Sequence, residues 1–110
     1  MTWRVEFSLV ARGMFSGIPD RSVRRKLLDA AQGLEGDPEK QGKPLTGEFE
    51  GLRRLRFSRY RMIYSVDSRR SRVVVVALGL RKAGSRTDIY ALAAHLAKAG
   101  VLLAEARPRG

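Results

Sequence analysis

Residues 52–80 read LRRLRFSRYRMIYSVDSRRSRVVVVALGL and contain three apolar-rich runs separated by two short polar breaks. Polar and apolar side chains alternate along most of residues 52–57 and 60–67, with the period of two that is typical of β-strands. Residues 72–80 are apolar on both faces, which suits the interior of a sheet. Because only short turns separate the three runs, they predict an antiparallel meander.

The residues before the meander predict a strand, two helices and a loop. Residues 3–7 alternate in the same way as the meander, and Ser8 is a candidate N-cap for a short helix that ends at Gly17. Apolar residues at helical spacing predict a second helix at 19–35, which forms an antiparallel hairpin with the first. Frequent glycine and proline predict that residues 36–51 are a loop.

After the meander, the alanine- and leucine-rich residues 89–99 predict a final helix. The order β, α, α, β, β, β, α predicts an α+β domain, with a helical hairpin packed on a mainly antiparallel four-stranded sheet and a C-terminal helix. We expect residues 1–106 to form this single domain and residues 107–110 to be a flexible tail.

The length of 110 residues suits one small domain, and the chain has no cysteine. The lack of cysteine excludes a disulfide scaffold, a thiolate zinc site and a cysteine nucleophile. The longest apolar run, at 73–80, is far shorter than the ~20 residues that cross a bilayer, and the N-terminus lacks the apolar core of a signal peptide. We therefore expect a cytoplasmic protein without membrane contact.

Positive charge is concentrated in the middle of the chain. The formal net charge is +11, from 22 basic and 11 acidic residues, and 17 of the basic residues are arginine. Residues 1–50 carry eight residues of each sign, whereas residues 51–90 carry 11 basic residues against two acidic ones. Because guanidinium groups match phosphate geometry and stay charged, this concentration predicts a phosphate-rich or acidic partner.

The arginines of the meander are expected to converge. Alternation puts Arg54 and Arg56 on one face of their strand, and antiparallel pairing around residues 58–59 brings Arg61 close to both. Arg81 ends the third strand. Like charges at this density need an anionic counterpart, which a nucleic-acid backbone supplies.

Aromatic and basic neighbours extend this surface. Tyr60 and Tyr90 offer rings on which bases can stack, worth ~1–3 kcal/mol per base. The residues that we predict to contact RNA are Arg53, Arg56, Arg59, Tyr60 and Lys82. The single histidine, His95, has no partner at metal-ligand spacing and no phosphate-binding loop is present, so we predict neither a metal nor another cofactor.

Several motifs also occur in a characteristic order: GKPLTG at 42–47, GLRRLR at 51–56, YRMIY at 60–64, VVVVA at 73–77 and GLR at 79–81, followed by Tyr90. Over about residues 3–96, this series resembles the RelE/ParE superfamily of bacterial type II toxins. The resemblance implies a helical hairpin on a curved antiparallel sheet, and a cognate antitoxin that wraps the toxin and covers its basic surface. It favours the RelE-like branch, whose members enter the ribosomal A site and cleave messenger RNA.

The resemblance also implies an active site. Carried over residue by residue, the catalytic positions of RelE-like toxins are Arg54, Arg61, Arg81 and Tyr90. Attack of a ribose 2′-hydroxyl on the adjacent phosphate needs no metal. Arg61 and Arg81 would clamp the phosphate, Arg81 could donate a proton to the leaving oxygen, and Tyr90 could orient the base. RelE-like enzymes often carry a lysine where Leu52 stands, so the group that removes the 2′-hydroxyl proton is unassigned.

Two other functions fit the same features. One is a ParE-like poison of DNA gyrase, which would act through surface contacts on the same fold. The other is a non-catalytic module whose arginines bind an acidic antitoxin or RNA. For the favoured RNA endonuclease, the expected partners are the ribosome, messenger RNA and a cognate antitoxin.

Overall fold

The computed structural model describes residues 2–80, which form two helices and a five-stranded sheet. In chain order, the elements are β1 (Arg4–Phe7), α1 (Leu9–Ser16), α2 (Arg21–Gln32), β2 (Lys43–Pro44), β3 (Leu52–Phe57), β4 (Tyr60–Asp67) and β5 (Arg72–Leu80), with single 3₁₀ turns at Gly33–Glu35 and Gly47–Phe49. The α+β class and all three strands of the predicted meander are confirmed. The helix predicted at 89–99 and the tail predicted at 107–110 lie outside the described residues.

The sheet has the strand order β1-β5-β4-β3-β2. β1 pairs with β5 in parallel, and every other neighbouring pair is antiparallel. The Nε of Arg72 donates to Oε2 of Glu6 at 2.6 Å, which adds a cross-strand ion pair between β5 and β1. The first strand of the chain therefore lies beside the last strand of the meander.

The sheet has one more strand than the sequence predicts. Lys43 and Pro44 pair with Arg54 and Arg53, and the Leu45 N–H donates to the Leu52 carbonyl at 2.9 Å. The prediction that residues 36–51 are entirely loop is therefore wrong at these two positions. A two-residue strand has no periodicity of its own, so only its partner strand defines it.

Both helices begin at side-chain caps. The predicted Ser8 cap is confirmed, because its hydroxyl accepts a hydrogen bond from a backbone N–H of α1 at 3.0 Å. The cap of α2 is Asp20, so Pro19 lies before the helix rather than in its first turn. α2 also ends at Gln32, earlier than predicted, since Gly33 starts a 3₁₀ turn. Neither of these helices is long and apolar enough to span a membrane.

The main core lies between the helices and one face of the sheet, which we call the helix face. Its fully or almost fully buried members come from both layers: Ala11, Ile18, Leu27, Ala31, Leu34, Met62, Tyr64, Val73, Val75 and Leu78. A smaller apolar cluster occupies the opposite face and contains Leu52, Ile63, Val74, Val76 and Ala77. β5 contributes to both clusters, as expected for an interior strand that is apolar on both faces.

A β-bulge explains how adjacent residues of β5 reach the same cluster. Ile63 pairs with Ala77 while Tyr64 pairs with Val75, so Val76 is the extra residue. The bulge shifts the alternation of β5 by one position. As a result, Val76 and Ala77 both join the smaller cluster.

α1 covers the part of β5 that extends beyond the end of β1. The Ser8 hydroxyl donates to the Val76 carbonyl at 2.9 Å, and the Leu78 N–H donates to Sδ of Met14 at 3.4 Å. These contacts occupy backbone groups that would otherwise form an exposed sheet edge.

Candidate functional site

Three neighbouring arginine side chains of β3 and β4 project from the sheet face opposite the helices, which we call the arginine face. Arg56 on β3 pairs directly with Arg61 on β4, and Arg54 pairs with Ile63. Directly opposed residues share a face, as do residues two apart along a strand. The predicted proximity of Arg54, Arg56 and Arg61 is therefore confirmed, while their catalytic and RNA-binding roles stay predictions.

Arg61 is the most enclosed of the three. Only 9% of the residue is exposed, and its Nη1 donates to the carbonyl oxygens of Ser58 at 3.1 Å and Tyr60 at 3.0 Å. Its Nε is buried and has no hydrogen-bond partner among the described residues. A buried donor without a partner costs about 1–3 kcal/mol, and the directly opposed Arg56 adds a like charge. An anion bound beside the guanidinium groups would offset the repulsion between the two charges.

The smaller apolar cluster lies on the same face as the arginines. Leu52 is 3% exposed and Ile63 is fully buried. Leu52 therefore belongs to the interior at the position where RelE-like enzymes often carry a lysine. An apolar floor lowers the local dielectric, which strengthens the attraction between a guanidinium group and a bound anion.

β2 adds a cation that the sequence analysis did not single out. Lys43 is paired directly with Arg54, and a groove of about 340 Å³ is lined by Gly42, Lys43, Arg54, Leu55 and Arg56. Lys43 was missed because it falls in the segment predicted as loop. Gly42 before it and Pro44 after it are the local signals of a special backbone geometry at this point.

Arg53 lies on the other face from Arg54 and Arg56. It pairs with Tyr64 of the helix face. Its Nη2 donates to the Gln41 carbonyl at 3.0 Å, and its Nε donates to the Tyr64 hydroxyl at 3.3 Å. Its guanidinium group is thus engaged with the loop before β2, and its predicted contact with RNA stays a prediction.

The Tyr64 hydroxyl is the centre of this network. It lies 2.8 Å from the Pro38 carbonyl oxygen and 2.7 Å from the Gln41 carbonyl oxygen, and its single proton can be donated to either. Burial raises the pKa of Tyr64 above the ordinary value of 10.0, while the hydrogen bond and positive charge of Arg53 oppose that change. The hydroxyl thus remains a proton donor that fastens the 38–41 segment to β4.

The remaining predicted site residues fall into two groups. Tyr60 pairs with Phe57 and packs against the main core on the helix face, the face opposite to that of Arg61, and its role as a base-stacking ring stays a prediction. Arg59 is exposed in the turn between β3 and β4. Arg81, Lys82 and Tyr90 lie outside the described residues.

Comparison with known proteins defines the class to which this arrangement belongs. Residues 11–83 match the family model described as "ParE toxin of type II toxin-antitoxin system, parDE". The scaffold of a type II toxin in this chain is thus a helical hairpin packed on one face of a sheet whose other face carries arginines. The chain is 30% identical to the toxin RelG of Mycobacterium tuberculosis over 90 residues, which are 82% of this chain and 98% of RelG. It belongs to the RelE/ParE family of these toxins.

Solved structures share the fold. The toxin–antitoxin complex RelBE2 from Mycobacterium tuberculosis gives a TM-score of 0.69 at 28% identity, over 74% of this chain and 93% of that chain. The RelE–RelB complex from Pyrococcus horikoshii gives a TM-score of 0.60 at 28% identity, over 76% of this chain and all of that chain. These likenesses confirm the predicted RelE-like architecture.

Proposed function

We propose that this chain is the toxin of a type II pair and inhibits translation by cutting messenger RNA on the ribosome, in the cytoplasm. Its 30% sequence identity to RelG and its series of RelE-like motifs support the RelE-like branch of the family. The nucleophile is a 2′-hydroxyl of the substrate itself, so the protein's task is to position and stabilise rather than to supply an attacking group.

The observation that carries the proposal is the environment of Arg61. Its buried Nε lacks a partner among the described residues, and Arg54 and Arg56 stand on the same face. A buried donor without a partner is uncommon in folded proteins, and it suits a site that is completed when substrate binds and the surrounding side chains move. The apolar floor beneath the arginines would strengthen the interaction with phosphate.

The cut makes one bond to phosphorus and breaks another. The 2′-oxygen attacks phosphorus and the bond to the 5′-oxygen breaks, which yields a 2′,3′-cyclic phosphate and a 5′-hydroxyl. One proton leaves the 2′-hydroxyl and another is delivered to the departing 5′-oxygen. Negative charge on the phosphoryl oxygens is largest between these events, and the guanidinium groups of Arg61 and Arg81 would stabilise it. Arg81 and Tyr90 keep the proposed roles of proton donor and base-orienting ring.

We further propose that a cognate antitoxin holds this toxin inactive. Both structural relatives at 28% identity are complexes of a toxin with its antitoxin. A cluster of arginines needs an acidic partner when RNA is absent. Co-purification with the product of the adjacent reading frame tests this point.

Cell-free translation tests the RNA endonuclease. Purified toxin should stop protein synthesis, and primer extension on the recovered message should reveal new 5′ ends within ribosome-bound codons. Arg61→Lys keeps the charge but removes the planar fork of donors, so we expect the single-turnover cleavage rate to fall about 100-fold. Arg69→Gln, in the exposed turn between β4 and β5, is the matched control and should cleave as the wild type does. Intact message at high toxin concentration contradicts the proposal.

Poisoning of DNA gyrase is the second candidate, because the matching family model carries the ParE description. The discriminating assay is supercoiling of plasmid DNA by purified gyrase in the presence of the toxin. Accumulated DNA breaks together with unaffected translation would establish this candidate in place of the first.

A further inference from the structure

We infer that Lys43, with Arg54 and Arg56, forms a second phosphate subsite that binds a nucleotide next to the one being cleaved. The inference rests on the proposed function, since it places more of the same RNA strand on the arginine face. It assigns a binding role to a side chain of β2, the short strand at the sheet edge.

The pairing of β2 with β3 carries the inference. Lys43 is directly opposite Arg54, so its side chain projects from the arginine face. Lys43, Arg54 and Arg56 all line the groove of about 340 Å³. Three cations around one concave surface make a site that can hold a phosphate and part of its sugar.

The Lys43 side of this groove is distant from Arg61, whereas Arg56 at its other side is directly opposite Arg61. Neighbouring strands lie about 4.8 Å apart, so β2 and β4, with β3 between them, are separated by roughly 10 Å. Nη1 of Arg61 is directed to carbonyls of the β3–β4 turn, and Arg61 is not among the described residues that line the groove. The spacing suits two successive phosphates of one strand better than two oxygens of a single phosphate.

The backbone of β2 is held in place before RNA arrives. Gly42 has a φ of +61°, and a Cβ added there would collide with the Arg54 carbonyl oxygen, so β2 approaches β3 as only glycine allows. On the preceding side, Arg53 and Tyr64 both hydrogen-bond to the Gln41 carbonyl. These hydrogen bonds on the helix face thus fix the backbone from which the Lys43 side chain projects to the arginine face. Less conformational entropy is then lost when RNA binds.

A nearby lysine provides a matched control. Lys40 lies three residues earlier in the same segment, is 86% exposed at its side chain and forms an ion pair with Asp37 at 3.9 Å. Lys40 does not line the groove. Lys40→Gln and Lys43→Gln therefore remove the same charge from the same stretch of chain, but only Lys43→Gln removes it from the proposed subsite.

The direct readout is the dependence of RNA affinity on salt concentration. A fluorescent single-stranded RNA of ten nucleotides, 2′-O-methylated so that it cannot be cut, is titrated with each full-length variant across a range of KCl concentrations. Each phosphate contact on a single strand contributes about 0.7 to the slope of log K against log salt. We expect Lys43→Gln to lower that slope by about 0.7 and to weaken binding several-fold at low salt. Lys40→Gln should match the wild type in both, and Lys43→Arg should restore the slope.

Cleavage of ribosome-bound message gives the second readout. A residue that holds a neighbouring nucleotide should affect KM more than kcat, so we expect KM to rise at least five-fold in Lys43→Gln. Circular dichroism melting of each variant checks that a loss of binding is not a loss of folding. If Lys43→Gln is misfolded, the Lys43→Arg and Lys43→Met variants decide between charge and structure.

The outcomes separate the two proposals. If Lys43→Gln has the wild-type slope and KM, the subsite is overturned while the cleavage function stands. If the wild-type protein binds RNA but cuts no message, the proposed function is overturned. The subsite is then tested only by the slope of log K against log salt for Lys43→Gln. A wild-type protein that neither binds RNA nor cuts message overturns both.

Discussion

The two faces of the sheet use the same strands in opposite ways. On the helix face, Tyr64 and Val75 are fully buried, as is Leu27 of α2 that packs in the same core. On the arginine face, Arg56 is exposed, and the buried Arg61 keeps a donor without a partner among the described residues. Because side chains alternate with a period of two, one strand can supply core residues to one side and cations to the other. Stability and binding are therefore expected to be separable by substitution.

The largest stability effect is expected on the helix face. Leu27→Ala removes most of a fully buried side chain between α2 and the sheet, and such truncations cost 2–5 kcal/mol. We expect the free energy of unfolding, from urea titration followed by circular dichroism, to fall by about 3 kcal/mol. Leu28→Ala on the same helix, where the leucine is 37% exposed, should cost less than about 1 kcal/mol. Equal losses for the two variants would contradict the assignment of the core.

Tyr64→Phe should have an intermediate effect that depends on pH. It removes the proton donated to the Pro38 or Gln41 carbonyl, which should lower the free energy of unfolding by about 1–2 kcal/mol near neutral pH. Folding raises the Tyr64 pKa above 10.0, so in alkaline solution the folded chain retains a proton that the unfolded chain has released. The stabilisation is complete below pH 10 and is lost as pH rises through the folded-state pKa.

Urea titrations at several pH values from neutral to strongly alkaline check this expectation. The wild type should lose more stability above pH 10 than Tyr64→Phe does, because the variant lacks the titrating hydroxyl. Tyr60→Phe, which keeps Tyr64, is the control and should decline as the wild type does. If the free energy of unfolding falls with pH equally in the wild type and Tyr64→Phe, Tyr64 is not the group whose titration changes the stability.

The smallest stability effect should come from Arg61, the buried arginine of the arginine face. Arg61→Met loses two hydrogen bonds to carbonyls but also removes the unpartnered Nε and the charge opposite Arg56. These terms oppose one another, so we expect the free energy of unfolding to stay within about 1 kcal/mol of the wild type. Cleavage in the translation assay should nevertheless fall at least 100-fold. A loss of stability as large as that of Leu27→Ala would assign Arg61 to the core instead.

The meander could be predicted because its signal is local. Alternation over residues 60–67 and the apolar run at 72–80 specify the strands, and the short turns between them specify antiparallel pairing. The same alternation correctly grouped Arg54, Arg56 and Arg61. Applied consistently, it also separates Arg53 from Arg54, since consecutive residues of a strand point to opposite faces. Charge alone does not distinguish Arg53 from Arg54, whereas their register in the strand does.

β2 and Lys43 could not be predicted from local signals. A strand of two residues has no alternation to detect, and its hydrogen bonds depend on β3. The anchors that hold it come from Arg53 and Tyr64, 11 and more residues away in sequence. The early end of α2 had a visible cause in Gly33, but helix ends are commonly displaced by a few residues. The roles of Arg81, Lys82 and Tyr90 stay predictions.

The parallel pairing of β1 with β5 determines when the molecule can assemble during its own synthesis. Residues 4–7 are made early, but their partners at 72–75 leave the ribosome much later. Until then, α1 and α2, of 8 and 12 residues, have no sheet to pack against, and helices of that length are marginal in water. Such distant contacts make folding a late event. We therefore expect a nascent chain to be harmless while it is being translated, because its cations are gathered on one surface only after β5 has emerged.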